Sequence, residues 1–204
     1  VAVGYATGFA LTTGIQNTII GALAGDALTD ADFNVAVGHV SLSTDTLGSR
    51  STAVGYGALN AQNFTTSTQT YNTAIGTETG ASVTTGINNT IIGGLAGDAL
   101  TDADNNVAVG QNALGDDTLG SASVAVGRQA LTQQNFTTAT DALNTGVGHT
   151  AGFNVTTGVR NTLIGALAGL NVNTGQKNTM IGDRAGNATT TGGGNVIIGT
   201  TCDA

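Results

Sequence analysis

Proline and tryptophan are missing from this chain, aromatic residues make up 4% of it and charged residues only 9%. An ordinary globular domain carries about 25% charge and more aromatic bulk, whereas a disordered chain would be more charged and poorer in β-branched residues. Five Lys and Arg against thirteen Asp and Glu give a net charge of −8, which excludes a nucleic-acid-binding face built from clustered cations. The single cysteine, Cys202, excludes an internal disulfide framework. No run of about 18 apolar residues is present to span a membrane. No secretory leader is visible, and the chain opens on "VAVG" without Met. It reads as an internal segment of something longer. What is abundant is glycine, 32 residues, and small or β-branched aliphatic side chains within a hydrophobic share of 40%.

Those residues are periodic. "QNTIIGALAGDALTDADFNVAVG" at 16–38 returns at 88–110 with three changes. The echo resolves into a shorter unit, Asn or Ser, then two small or apolar residues, then Val or Ile, then Gly. Its glycines are Gly21, Gly38, Gly55, Gly76, Gly93, Gly110, Gly127, Gly148, Gly165, Gly182 and Gly199, with a truncated first copy at Gly4. Successive glycines stand seventeen apart, except for two steps of twenty-one, from Gly55 to Gly76 and from Gly127 to Gly148. Three short steps and one long step make up the longer echo. One repeat domain therefore covers 1–204, with super-repeats at 4–75 and 76–147 and a partial one over 148–204. Twelve unbroken copies define a repeat architecture.

The residue before each motif Gly is always β-branched: Val3, Ile20, Val37, Val54, Ile75, Ile92, Val109, Val126, Val147, Ile164, Ile181 and Ile198. Such residues suit a sheet, and this column is the expected structural core. The Gly marks a bend or a close backbone approach. Three residues further on the side chain is small in every copy, and polar turns such as those ending at Gly14, Gly86 and Gly158 follow. The glycine content and the lack of a 3.6-residue apolar period exclude helices. The expected fold is all-β, a parallel β-solenoid of about twelve coils, with seventeen residues per coil and twenty-one at two places. The Asn that opens the motif (Asn17, Asn34, Asn72, Asn89, Asn106, Asn144, Asn161, Asn178 and Asn195) is expected to stack as an amide ladder, interrupted by Ser51 and Ser123.

"NTIIGALAG", "STAVGYGALNAQ" and "TTGINNTIIG" resemble the repeats of phage tail fibres and related bacterial surface proteins. They are similar, more distantly, to the head repeats of trimeric autotransporter adhesins, whose coils are shorter. The resemblance covers the whole chain. It implies a homotrimer of β-rolls, an extracellular, cell-surface or virion location, and a role as fibre shaft or adhesive head, with no enzymatic residue in the motif. Self-association also follows from the thinness of the core: burying a Val or Ile is worth roughly 1.5–3 kcal/mol, while ordering each residue costs about 1–2 kcal/mol. The alternative is a self-assembling extracellular filament or matrix protein of stacked single solenoids.

Phe64 and Phe136, equivalent residues in the two long coils, are candidate surface contacts or covers for the gap each insertion opens. His39 and His149 follow motif glycines at a variable, polar position and are not assigned to catalysis or metal. "GDALTDAD" brings Asp26, Asp30 and Asp32, then Asp98, Asp102 and Asp104, yet the spacing matches no calcium loop. A threonine ladder suited to ice is broken by Val35, Val107, Val124 and Val196. No nucleophile–base pair, P-loop or acid–base cluster is present, so no catalytic, cofactor or metal residue is named and the chain is read as a non-enzyme. The expected partners are two further copies of itself and a surface receptor, a glycan among the candidates, with no nucleic acid and no membrane insertion.

Overall fold

The computed structural model of the protein describes residues 1–203. No helix occurs among them, and the strands are short: β1 (Ala2–Val3), β2 (Thr18–Ile20), β3 (Val35–Val37), β4 (Gly48–Ser49), β5 (Thr52–Val54), β6 (Thr68–Gln69), β7 (Thr73–Ile75) and β8 (Thr90–Ile92). They continue as β9 (Val107–Val109), β10 (Gly120–Ser121), β11 (Val124–Val126), β12 (Thr140–Asp141), β13 (Thr145–Val147), β14 (Thr162–Ile164), β15 (Thr179–Ile181) and β16 (Val196–Ile198). Twelve of them form one parallel sheet in the order β1-β2-β3-β5-β7-β8-β9-β11-β13-β14-β15-β16. Each comes from one copy of the sequence motif, so the chain is a parallel β-solenoid of about twelve coils. Stacking at about 4.8 Å per coil makes a rod of about 50 Å.

The short sequence period is the sheet register: Thr18, Ile19 and Ile20 lie opposite Val35, Ala36 and Val37. The two long coils keep that register, since Val54 still meets Ile75 and Val126 still meets Val147. Their extra residues leave the main sheet and form two small parallel pairs, β4 with β6 and β10 with β12. Each motif Gly sits where one coil's backbone runs against the next. Gly93 has φ +126°, and a Cβ there would lie 2.7 Å from the carbonyl carbon of Gly110.

The interior corrects the expected core. Within each three-residue strand the middle side chain points inward: Ile19, Ala36, Ala53, Ala74, Ile91, Ala108, Ala125, Leu163 and Met180 are buried, with Gly146 in the same column. The always-β-branched residue next to it points outward. Successive side chains of a strand face opposite ways, so only one of the two adjacent apolar columns can be internal.

Interior bulk is shared between two columns. Where the strand offers Ala, a Leu four residues after the motif Gly fills the space, as in the pairs Ala36–Leu42, Ala53–Leu59, Ala108–Leu114 and Ala125–Leu131, all fully buried. Where the strand offers Ile91, Leu163 or Met180, the later position is Gly97, Gly169 or Gly186. Following each long coil both positions are small, and neighbouring coils fill the gap. A Cβ on Gly152 would lie 2.6 Å from Leu163 and 2.7 Å from Leu131. The small residues three after the motif Gly, Ala24, Ala58, Ala96 and Ala130 among them, are likewise fully buried in every coil but the first and last, where Thr7 and Cys202 are partly exposed.

The asparagine ladder is present, but as a backbone clamp as well as an amide stack. Asn17 Oδ1 accepts the backbone N–H of Asn34 at 2.9 Å, and Asn89 Oδ1 accepts that of Asn106 at 2.9 Å. Each Nδ2 then donates to a carbonyl near the end of its own coil, Asn17 to Ala31 at 2.7 Å and Asn106 to Gly120 at 2.9 Å, and so closes that coil. Asn144, Asn161, Asn178 and Asn195 continue the series, with Nδ2–Oδ1 contacts of 2.9–3.2 Å added between successive amides. At the interruptions, Ser51 and Ser123 still donate backbone N–H groups to Asn34 and Asn106.

Candidate functional site

The outward face of the twelve-stranded sheet carries two side-chain columns per strand. One is the β-branched column from Val3 to Ile198. The other holds Thr18, Val35, Thr52, Thr73, Thr90, Val107, Val124, Thr145, Thr162, Thr179 and Val196. No charged residue occurs in either column. In mid-rod Ile20, Ile75, Ile164 and Ile181 retain 36–40% of their surface exposed. The result is a continuous stripe of β-branched side chains along the rod, because every strand keeps the same register. It can remove apolar surface from water against another such face, and no titratable group lies in it.

A second, internal constellation was not legible as a site. Seven residues after the motif Gly the chain usually places a buried Leu or Val: Leu28, Val83, Leu100, Val155 and Val172. In the coil before each long coil that position is Asp45 or Asp117, and in the long coil itself Gln62 or Gln134, all fully buried. Asp45 Oδ1 accepts the N–H groups of Gly48 at 3.1 Å and Phe64 at 2.9 Å, and Oδ2 accepts Gln62 Nε2 at 2.6 Å. Gln62 Nε2 also donates to Ser51 Oγ at 2.9 Å, and its Oε1 accepts Asn72 Nδ2 at 2.9 Å. Asp117, Gln134, Ser123 and Asn144 repeat the arrangement. Gln62 and Gln134 thus occupy the space left where serine interrupts the ladder. Burial pushes the Asp117 carboxyl above its ordinary value, partly offset by the hydrogen bonds from Gln134, Phe136 and Gly120. The signal was available in the sequence: two polar pairs, one super-repeat apart, in a column that is otherwise aliphatic except for Thr189 near the C-terminal end.

The remaining sequence candidates fall into place around these. Phe64 and Phe136 are 7% and 6% exposed, which overturns the surface-contact expectation. Each covers the opening made by its insertion, and Phe136 lies where a Cβ on Gly120 would be 2.8 Å from its ring. His39 is exposed and stacks on Tyr56 of the next coil, ring centroids 5.7 Å apart, while His149 Nε2 lies 3.2 Å from Arg128. Asp32 and Asp104 cap turns by accepting the N–H of Ile15 and Ile87, each at 2.7 Å. Asp30 and Asp102 accept threonine hydroxyls one coil back. Cys202 packs as a small side chain against the end of the core. Among the described residues no group of three metal-ligating side chains converges, and no helix is long and apolar enough to cross a membrane. Comparison with protein-family models, with curated proteins and with solved structures returns no match.

Proposed function

We propose that the chain is a structural and adhesive segment of a homotrimeric extracellular or virion fibre, not an enzyme. The observation that carries this reading is the uncharged, β-branched outer face of the twelve-stranded sheet. Its residues are regular along the whole rod although the single chain leaves them partly in water. Covering what remains exposed of one such side chain is worth about 1 kcal/mol. Summed over twelve coils, that is comparable with the cost of association, roughly 4–15 kcal/mol. Three copies packed about a common axis would cover this face and leave the polar turns and surface ladders outward for attachment. The placement outside the cell rests on the resemblance to fibre repeats.

The test is the mass of the purified chain in solution. A particle with the mass of three chains, each 20.0 kDa, that separates into folded single chains when Ile92 and Ile164 are both changed to Asp supports the trimer. Open-ended polymers would instead support the second reading, a filament of end-stacked solenoids. In that arrangement the parallel strand pairing that joins coil to coil within the chain would continue from one chain to the next. A single folded chain at all concentrations would sink both.

A further inference from the structure

We infer that a cleft beside the first long coil binds a saccharide bearing a carboxylate, with Arg50 as its anion contact. This deepens the adhesive reading and rests on it. Asp32, Phe33, Ser49, Arg50, Ser67 and Gln69 line an open cleft of about 100 Å³. Arg50 is the only Lys or Arg ahead of Arg128, in a chain of net charge −8. Its guanidinium carbon lies 4.7 Å from the centre of the Phe33 ring on one side and 5.8 Å from that of Tyr71 on the other. Both rings are exposed, at 42% and 52%. The two rings flank the guanidinium, and its N–H groups bond no other side chain among the described residues, so they can take a carboxylate in bidentate fashion. Arg50 forms no ion pair among the described residues.

The rest of the cleft selects the ligand class. Ser49, Ser67 and Gln69 offer hydroxyls and an amide, and Asp32 keeps one carboxylate oxygen beyond the one that caps Ile15. These groups suit hydroxyl-rich ligands of single negative charge, and the Asp32 carboxylate opposes a phosphate dianion. The fold does not need the stack. In the second super-repeat the equivalents of Phe33, Arg50, Tyr71, Ser67 and Gln69 are Asn105, Ala122, Leu143, Ala139 and Asp141, while Asp104 and Ser121 match Asp32 and Ser49. Yet β10 pairs with β12 there as β4 pairs with β6 here. The duplicated scaffold thus carries the Phe33–Arg50–Tyr71 group in one copy and not in the other.

The experiment is titration of the purified chain, by calorimetry and by amide NMR shifts, with a galacturonic-acid tetrasaccharide, its methyl ester, and inorganic sulfate. The expected result is binding of the free acid with shifts confined to residues around 32–33, 49–50 and 67–71, and at least tenfold weaker binding of the methyl ester. Arg50→Ala removes binding, and so does Arg50→Lys to within tenfold of the Ala variant. The Ala variant keeps its fold, since Ala122 holds the equivalent position at a similar backbone angle, φ 59° against 69°. Equal binding of acid and ester, sulfate binding as strong as the saccharide, or no binding by any probe overturns the proposal. The mass measurement on the same samples judges the fibre reading separately.

Discussion

Gly93 and Gly94 are chain neighbours under different constraints. Gly93 combines a φ of +126° with a neighbouring coil 2.7 Å from where a Cβ would be, whereas a Cβ on Gly94 would find only the Thr77 carbonyl oxygen at 3.9 Å. Gly93→Ala is expected to cost about 3 kcal/mol, from backbone strain and from forcing two coils apart. Gly94→Ala should stay within about 0.5 kcal/mol. Denaturant unfolding of the two variants checks the contrast, and equal costs would refute the close approach. Asp117 makes a second residue-scale case. Its folded carboxyl titrates above the ordinary 3.8 because it is buried. The folded state therefore takes up a proton before the unfolded chain does, and Asp117 detracts least from stability at low pH. Relative to Asp117→Asn, the native chain should gain stability as pH falls from neutral towards 3.8. Parallel pH profiles for the two proteins would contradict this.

At the scale of the strand, Ile91 and Ile92 divide the work of one apolar pair. Ile91 is fully buried, while Ile92 lies on the partly exposed outer face. Ile91→Asp places an unpaired carboxylate inside the solenoid and should cost about 3–5 kcal/mol. Ile92→Asp should cost less than about 1 kcal/mol in a single chain and act on association instead. Hydrogen exchange should show protection lost around 74–110 in the first variant only, since a coil contacts just its neighbours. The reverse pattern would invert the assignment of the two faces. The sequence made this the hardest point to read. In Thr90-Ile91-Ile92 or Val107-Ala108-Val109 the period-2 alternation is silent, because both faces are apolar. The column that never varies then looks like the core. Its uniformity belongs instead to the outer face, while the true interior varies because Leu42, Leu59, Leu114 and Leu131 exchange bulk with it. Coil length, register, glycine column and asparagine ladder were legible because each depends on a single residue type at a fixed spacing. The Phe33–Arg50–Tyr71 stack was not, since its members lie on three successive coils and share only a place on the coil.

The whole molecule is a stack in which every coil boundary is crossed by hydrogen bonds directed along the rod, such as Thr90 N to Asn106 O at 2.8 Å and Gly110 N to Ile92 O at 2.7 Å. That arrangement makes the rod a coiled tether under load. One short coil occupies about 4.8 Å of length while stacked and reaches about 60 Å when drawn straight. Tension arriving at one end meets the terminal coil first, and the coils beyond it keep their own neighbours. A fibre segment of this design would yield by paying out chain one coil at a time, lengthening more than tenfold at each yielding turn while the remainder stays wound.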